Sequence, residues 1–395
     1  MTNFDPIRSR APHLAGVDAY QPIPAVPFAP DVLKLDLNES PVSPSPRVGE
    51  AVRTALAQPA TLNWYPDPTC TALRAAIGRY LAVSADHVLV TNGSNQAMEV
   101  IARAYLSAGE EVLIVSPVYS VFKLQCQLRE ANIREFYFTD PFAPTRAELE
   151  SWCSGASMKR RSCEREERPA AHEPSPRDAV LRKAAATTET SPKAIFLANP
   201  NNPTGTGLDR TVILGLLEQY PAALLVLDEA YAEFHDQACA DLAVRYSNLM
   251  VLRSFSKAFA LAGIRCGYIV APPATLAPLT RVFPPWSVST LTQIAAAAAL
   301  ADPDYMRALV AENAAARQLM VDGLRQLGFA ARNTAANFIL WPVPDPADMT
   351  ARLAARRVYV SNKDAVPQLK GYLRVTAGNR AQAGQFLNVV REVLA

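Results

Sequence analysis

Leu249-Met250-Val251-Leu252-Arg253-Ser254-Phe255-Ser256-Lys257, followed eight residues later by Arg265, decides how the rest of the chain is read. Four apolar residues in a row, bounded by polar ones, predict a buried strand. Ala258 to Gly263 then offers small residues for a turn, so Lys257 stands just beyond the top of that strand. Two apolar runs upstream end in the same manner. Ala194 to Leu197 leads into Asn201-Asn202-Pro203-Thr204-Gly205, and Ala223 to Leu227 leads into Asp228-Glu229-Ala230-Tyr231. A Ser-x-Ser-Lys string alone is usually a solvated turn. Here only eight of the 39 basic residues are lysines, so the position of this one carries weight.

Outward from these stretches the pattern repeats. From Val88 to Ala271 short apolar strands alternate with helical segments, which predicts an α/β fold: a large domain with a mostly parallel central sheet flanked by helices. In such sheets ligands bind beyond the carboxyl ends of the strands, where the polar stretches fall. Residues 50–280 are assigned to this large domain and residues 281–395 to a smaller α+β domain. Residues 1–49, proline-rich and with few helix signals, are read as an arm that completes the small domain. The charged, proline-interrupted run 151–192 breaks the rhythm and is expected to be a disordered insertion.

Composition narrows the function classes. A net charge of +2 over 395 residues gives no reason to invoke nucleic acid or an anionic membrane. No apolar stretch is long enough to span a bilayer, and the first residues lack an apolar signal core. The six cysteines are scattered without a Cys-x-x-Cys pair, which predicts reduced thiols and a cytoplasmic protein. Four histidines lie far apart with no metal-ligand spacing, so no metal site is expected.

The strand-end residues form a chemical set. A lysine can form an imine, a carboxylate can pair with a pyridinium, and an arginine with hydroxyls can hold a phosphate. Pyridoxal phosphate requires these three together. Asp228, at a strand end among core residues, needs a cation partner. Tyr231 and Asn202 are candidate donors to the ring oxygen, although Asn202 is equally a turn residue before Pro203. Asn92-Gly93-Ser94-Asn95 joins a strand to a helix, either as an ordinary capped turn or as a phosphate seat at a helix N-terminus. Ser254, Ser256 and Arg265 can supply the remaining phosphate donors. Tyr119 can stack on the ring or simply fill the core.

These motifs resemble those of the fold-type I pyridoxal-phosphate-dependent aminotransferases, and within them the histidinol-phosphate aminotransferase branch. The matching stretches are Leu37-Asn38-Glu39-Ser40-Pro41, Tyr65-Pro66-Asp67-Pro68, Asn92 to Asn95, Asn199 to Thr206, Asp228 to Phe234, Arg253 to Tyr268 and Leu373-Arg374-Val375-Thr376. The resemblance implies an enzyme passing an amino group from L-histidinol phosphate to 2-oxoglutarate. It implies Lys257, Asp228 and Tyr231 as catalytic residues, with Lys257 bonded to the cofactor. Gly93, Ser94, Asn95, Tyr119, Asn202, Ser254, Ser256 and Arg265 would complete the cofactor site, and Tyr65 would reach the neighbouring subunit's cofactor in a homodimer. Tyr20, Asn38 and Arg374 would face the substrate. Two positions depart from the branch: Ser361 stands where it tends to carry a basic residue, and Trp64 where an arginine is common. An aromatic amino-acid aminotransferase, or a related lyase such as threonine-phosphate decarboxylase, is the alternative expectation.

Overall fold

The structure is a computed structural model. It describes residues 31–145, 147–149 and 192–395, with isolated positions before 31. Tyr20 and the insertion 151–192, Pro192 excepted, lie outside the described residues. Eleven strands occur among the described residues. In chain order they are β1 (Leu33–Leu35), β2 (Val88–Thr91), β3 (Glu111–Ser116), β4 (Asn132–Tyr137), β5 (Ala194–Ala198), β6 (Leu224–Asp228), β7 (Leu249–Ser254), β8 (Gly267–Val270), β9 (Phe338–Pro342), β10 (Val358–Asn362) and β11 (Tyr372–Thr376).

Seven strands form one sheet in the order β2-β8-β7-β6-β5-β3-β4. β8 runs antiparallel to both of its neighbours and the other pairings are parallel. Side chains alternate across a strand, and both faces here are apolar. Ile195, Leu197, Leu225, Leu227, Leu249 and Val251 face one core, which also receives Leu73 and Ile77. Phe196, Leu224, Val226, Met250 and Leu252 face the other, against Met98 and Ile101 of the helix Gly93–Tyr105. A sheet covered on both sides explains why the central strands read as unbroken apolar runs.

The second sheet has the order β1-β10-β11-β9. One face, carrying Leu35, Ile339, Trp341, Val360, Leu373 and Val375, packs on Met320, Leu324 and Phe386 of the long helices Pro303–Gln326 and Arg380–Leu394. The other face brings Phe338 and Leu340 against Ala230 and Tyr231, just past the end of β6. It therefore closes over the carboxyl edge of the large sheet. The described part of the arm joins this sheet through β1, which pairs in parallel with β10.

Packing moves one boundary. Ala295, Ala296, Ala299 and Leu300 of the helix Thr290–Leu300 are buried in a core of the seven-stranded sheet. Residues 290–300 thus belong with the large unit, whereas sequence alone places everything after 280 in the small one. An alanine-rich helix has no long side chains to reveal its partner, so composition does not mark this attachment. A helix at Arg210–Gln219, not anticipated above, is capped by Asp209, whose side chain accepts from the Thr211 N–H at 2.8 Å.

Candidate active site

Strand polarity gathers the sequence-predicted residues at one edge. β6 ends on Asp228 and β7 on Ser254, while Asn202 follows β5. β8 runs the opposite way, so its first residue, Gly267, and Arg265 just before it arrive at the same edge. β2 ends there too and hands the chain to the helix Gly93–Tyr105.

One corner of this edge gathers a helix N-terminus, an arginine and two hydroxyls. No side chain caps the first turn of the helix Gly93–Tyr105, which leaves its N–H groups available. Gly93 has φ +73°, and a Cβ there would stand 2.5 Å from the Arg265 guanidinium. A Cβ on Gly267 would stand 2.7 Å from the Ser94 nitrogen. Both glycines are needed for the helix start to lie against β8 and Arg265. Arg265 donates to the Ala262 carbonyl at 3.0 Å and makes no ion pair among the described residues. Ser254 and Ser256 are buried, and the Ser254 hydroxyl accepts from the Ser256 N–H at 3.1 Å. Ser94 is half-buried and Asn95 exposed.

The centre of the edge holds a carboxylate and an amine. Asp228 is buried and accepts from the Ala230 N–H at 3.0 Å. Burial pushes its carboxyl up to about 6, against that hydrogen bond and the nearby Lys257 charge. Lys257 is half-buried, donates to the Leu37 carbonyl at 3.2 Å and lies 5.7 Å above the Tyr231 ring. Loss of hydration, aided by the Arg374 charge, pulls its ammonium down to about 7. A cavity of about 320 Å³ opens beside it, lined in part by Ser40, Ala258, Asn313, Asn337 and Gly378.

The small sheet supplies the roof. Asn38 donates from Nδ2 to the Tyr231 hydroxyl at 2.9 Å, leaving that hydroxyl its own proton to donate elsewhere. Asn38 has φ 55°, and its backbone is held by Thr376 and by Asn337 Nδ2 at 3.0 and 3.1 Å. Arg374 donates to Asn202 Oδ1 at 2.5 Å and to the Asp36 carbonyl at 2.8 Å, while its guanidinium lies over Phe338. The Arg374 Nε is buried without a partner. Burial lowers the Arg374 pKa from its ordinary value. Tyr119 is half-buried, close enough that its charge would bear on both Tyr231 and Arg374.

Tyr65 stands apart. It is 81 % exposed, its ring against Trp286 at 4.9 Å, with no hydrogen bond to the residues above. Asn337 and Thr376, which hold Asn38, escaped sequence reasoning. Asn337 precedes β9 and Thr376 ends β11, and nothing local announces that the partner of each lies some 300 positions away.

These groups fit pyridoxal phosphate. The glycine-lined corner offers an arginine, two hydroxyls and a helix N-terminus to a phosphate. The buried Asp228 suits a ring N–H. Lys257 suits an aldehyde, and Tyr231 with the Asn202 amide suits a ring oxygen.

Residues 30–390 match the family Aminotransferase class I and II. A histidinol-phosphate aminotransferase of Methylobacillus flagellatus is 33 % identical over 395 residues, covering 98 % of this chain and 96 % of its own. One from Acetobacter pasteurianus is 31 % identical over 373 residues, with 93 % of each chain covered. Among solved structures, histidinol-phosphate aminotransferase from Sinorhizobium meliloti in complex with pyridoxal-5'-phosphate superposes with a TM-score of 0.77. It is 23 % identical, and the match covers 98 % of this chain and 97 % of that one.

Proposed function

From the premise that the chain belongs to the class I and II aminotransferases, we propose that it is a pyridoxal-phosphate-dependent histidinol-phosphate aminotransferase. It would move the amino group of L-histidinol phosphate to 2-oxoglutarate and release L-glutamate. The observation that carries this reading is geometric: Lys257 stands at the same sheet edge as Asp228, Tyr231 and the Arg265 corner.

When bound, pyridoxal phosphate supplies an electron sink for the charge left on a carbon that loses its proton. The chain's own residues do the rest. Asp228 keeps the ring nitrogen protonated from the floor of the site. Tyr231 and Asn202 donate toward the ring oxygen, each oriented by a bond to its other side. Lys257, about half neutral near pH 7, would take up and hand back the proton of the substrate carbon. Gly93, Ser94, Asn95, Ser254, Ser256 and Arg265 hold the phosphate, and Tyr119 flanks the ring. Arg374, with an unpaired N–H, receives the anionic end of each substrate in turn. Asn38 fixes Tyr231 and faces the donor.

Two further features belong to this reading. The exposed Tyr65 would complete the site of a second copy in a homodimer. The described cysteines, Cys70, Cys126, Cys239 and Cys266, are all free, which supports a reducing compartment such as the cytoplasm. No helix among the described residues is long and apolar enough to cross a membrane.

A panel of amino donors with 2-oxoglutarate, read as glutamate formed, tests the substrate. Histidinol phosphate should exceed phenylalanine and tyrosine in kcat/KM, and threonine phosphate should not be decarboxylated. Arg374→Ala should lower kcat/KM for histidinol phosphate by roughly 30- to 1,000-fold, the loss of a charge-assisted contact in a dry site. Ser361, rather than a cation, lies directly opposite Arg374 across β10 and β11, and this favours the aromatic reading. Phenylalanine outrunning histidinol phosphate, with Arg374→Ala harmless to the latter, would replace the proposed donor with an aromatic one.

A further inference from the structure

Behind the site, on the far side of the same strand ends, lies a buried ion cluster that the reaction above does not use. Arg253, 4 % exposed, donates from Nε to Glu229 at 2.7 Å and from Nη1 to Glu233 at 3.1 Å. The second Glu229 oxygen accepts from the Cys239 N–H at 2.6 Å, and the Tyr80 hydroxyl reaches Glu233 at 3.4 Å. Tyr268, buried, faces Arg253 across β7 and β8.

The cluster is in register with the site. Glu229 follows Asp228, Arg253 precedes Ser254, and Tyr268 follows Gly267. Successive residues of a strand point to opposite faces, so Arg253 and Tyr268 are the reverse side of Ser254 and Gly267, and Glu229, just past β6, turns the same way to meet Arg253. The Glu229 N–H bonds the Leu252 carbonyl at 2.8 Å, which carries β6 to β7 at the point where both leave the sheet. One guanidinium therefore ties the end of β6 to the end of β7 and, through Glu233, to the turn bearing Tyr231.

A buried ion triple returns little net stability, because desolvating its charges offsets most of their attraction. What a guanidinium does impose is geometry: its planar fork accepts carboxylates in few positions. We propose that Arg253, Glu229 and Glu233 are positioning residues, which set the distance of Asp228 from the cofactor's ring nitrogen and of Ser254 from its phosphate. This rests on the pyridoxal-phosphate reading given above. It extends that reading to residues that touch neither cofactor nor substrate.

The test uses holoenzyme of the wild type and of Arg253→Met, which matches volume but lacks charge. Three readouts are taken: melting temperature, pyridoxal-phosphate affinity, and the pH midpoint of the bound cofactor's visible absorbance. That midpoint depends on how firmly the ring nitrogen is protonated, hence on where Asp228 sits. Arg253→Met leaves Glu229 and Glu233 buried without a counter-ion, so its melting temperature should fall. Its cofactor affinity should fall by roughly 10- to 100-fold, as misplacement by an ångström does in other sites, and its midpoint should shift. The kcat should fall more than the KM for glutamate changes. Arg253→Lys, which keeps the charge without the fork, should not restore the midpoint. Together with Glu229→Gln it carries the test if Arg253→Met does not fold. A midpoint and affinity matching wild type in any folded variant overturn the proposal, whatever the melting temperature does. Wild-type protein that takes up no pyridoxal phosphate would instead defeat the underlying reading.

Discussion

A lysine near the end of a strand is unremarkable until its surroundings are counted. Lys257 loses hydration and meets the Arg374 and Arg265 charges, while Glu39 and Asp228 compensate only in part, so its pKa falls to about 7. The sign of the consequence follows directly. An ordinary lysine is fully protonated at neutral pH and attacks an aldehyde only as alkali frees its amine. In the folded protein half of the Lys257 amines are free near pH 7. The rate at which apoenzyme captures pyridoxal phosphate, followed by visible absorbance, should therefore rise about tenfold per pH unit below 7 and level off above it. Capture that keeps climbing through pH 9 would contradict the depressed pKa. Lys257→Ala should remain folded and show no covalent capture at any pH, with borohydride reduction and peptide mapping finding no label elsewhere.

At the level of elements, the joint between β8 and the helix Gly93–Tyr105 matters most. The Cβ of an alanine at 267 would meet backbone at Ser94, Gly93 and Arg253, at 2.7, 2.8 and 3.0 Å. Backbone cannot rotate aside as a side chain can, so the helix start must move off the strand. Gly267→Ala should destabilise by about 1–3 kcal/mol, as overpacking does, and weaken cofactor binding along with it. Gly263 in the neighbouring turn has nothing within 4 Å of its virtual Cβ, so Gly263→Ala should leave melting temperature and cofactor affinity near wild type. Equal effects in the two variants would remove the joint from the account. The same joint shows what was legible in the sequence. The strands of the large sheet stood out because both of their faces are buried and their apolar runs are unbroken. The residues at their ends could be picked out because polar groups there follow core residues. Gly93 is a poor helix former, so local propensity does not mark it as the start of a helix. Tertiary contact with β8, invisible to local propensity, pulls the first turn back to Gly93. The cluster around Arg253 lay in plain view as Asp228-Glu229 and Arg253-Ser254. Strand alternation separates the two neighbours of each pair, yet nothing local says that Glu229, Glu233 and Arg253 meet on the far face.

On the scale of the whole molecule, the site lies between two packed units. Two cores meet at the carboxyl edge of the large sheet, and Arg374 bridges them by donating to Asn202 on one and to Asp36 on the other. Nearby in sequence to the helix Thr71–Leu81, the chain presents Leu62, Trp64 and Tyr65, each more than 70 % exposed, with Trp286 stacked on Tyr65. Large aromatic and aliphatic side chains gathered in one exposed group suit an interface better than water. In a two-fold dimer each subunit would offer the same patch, and each Tyr65 would enter the site of the other. Tyr65→Ala should fold normally, since the side chain buries little, and should lose roughly 10- to 100-fold in cofactor affinity or turnover, comparable to losing one hydrogen bond to a charged group. Lys257→Ala should be inactive. If Tyr65 acts across the dimer, refolding the two variants together creates mixed dimers with one intact site each: Lys257 from one chain and Tyr65 from the other. About a quarter of wild-type activity should then return, because half the dimers are mixed and one of two sites in each is whole. Differently tagged subunits, purified as the mixed dimer, remove the uncertainty of random exchange. Mixed dimers with no activity beyond the residual activity of Tyr65→Ala would confine Tyr65 to its own chain. A full-activity Tyr65→Ala would remove Tyr65 from either site before any mixing is attempted.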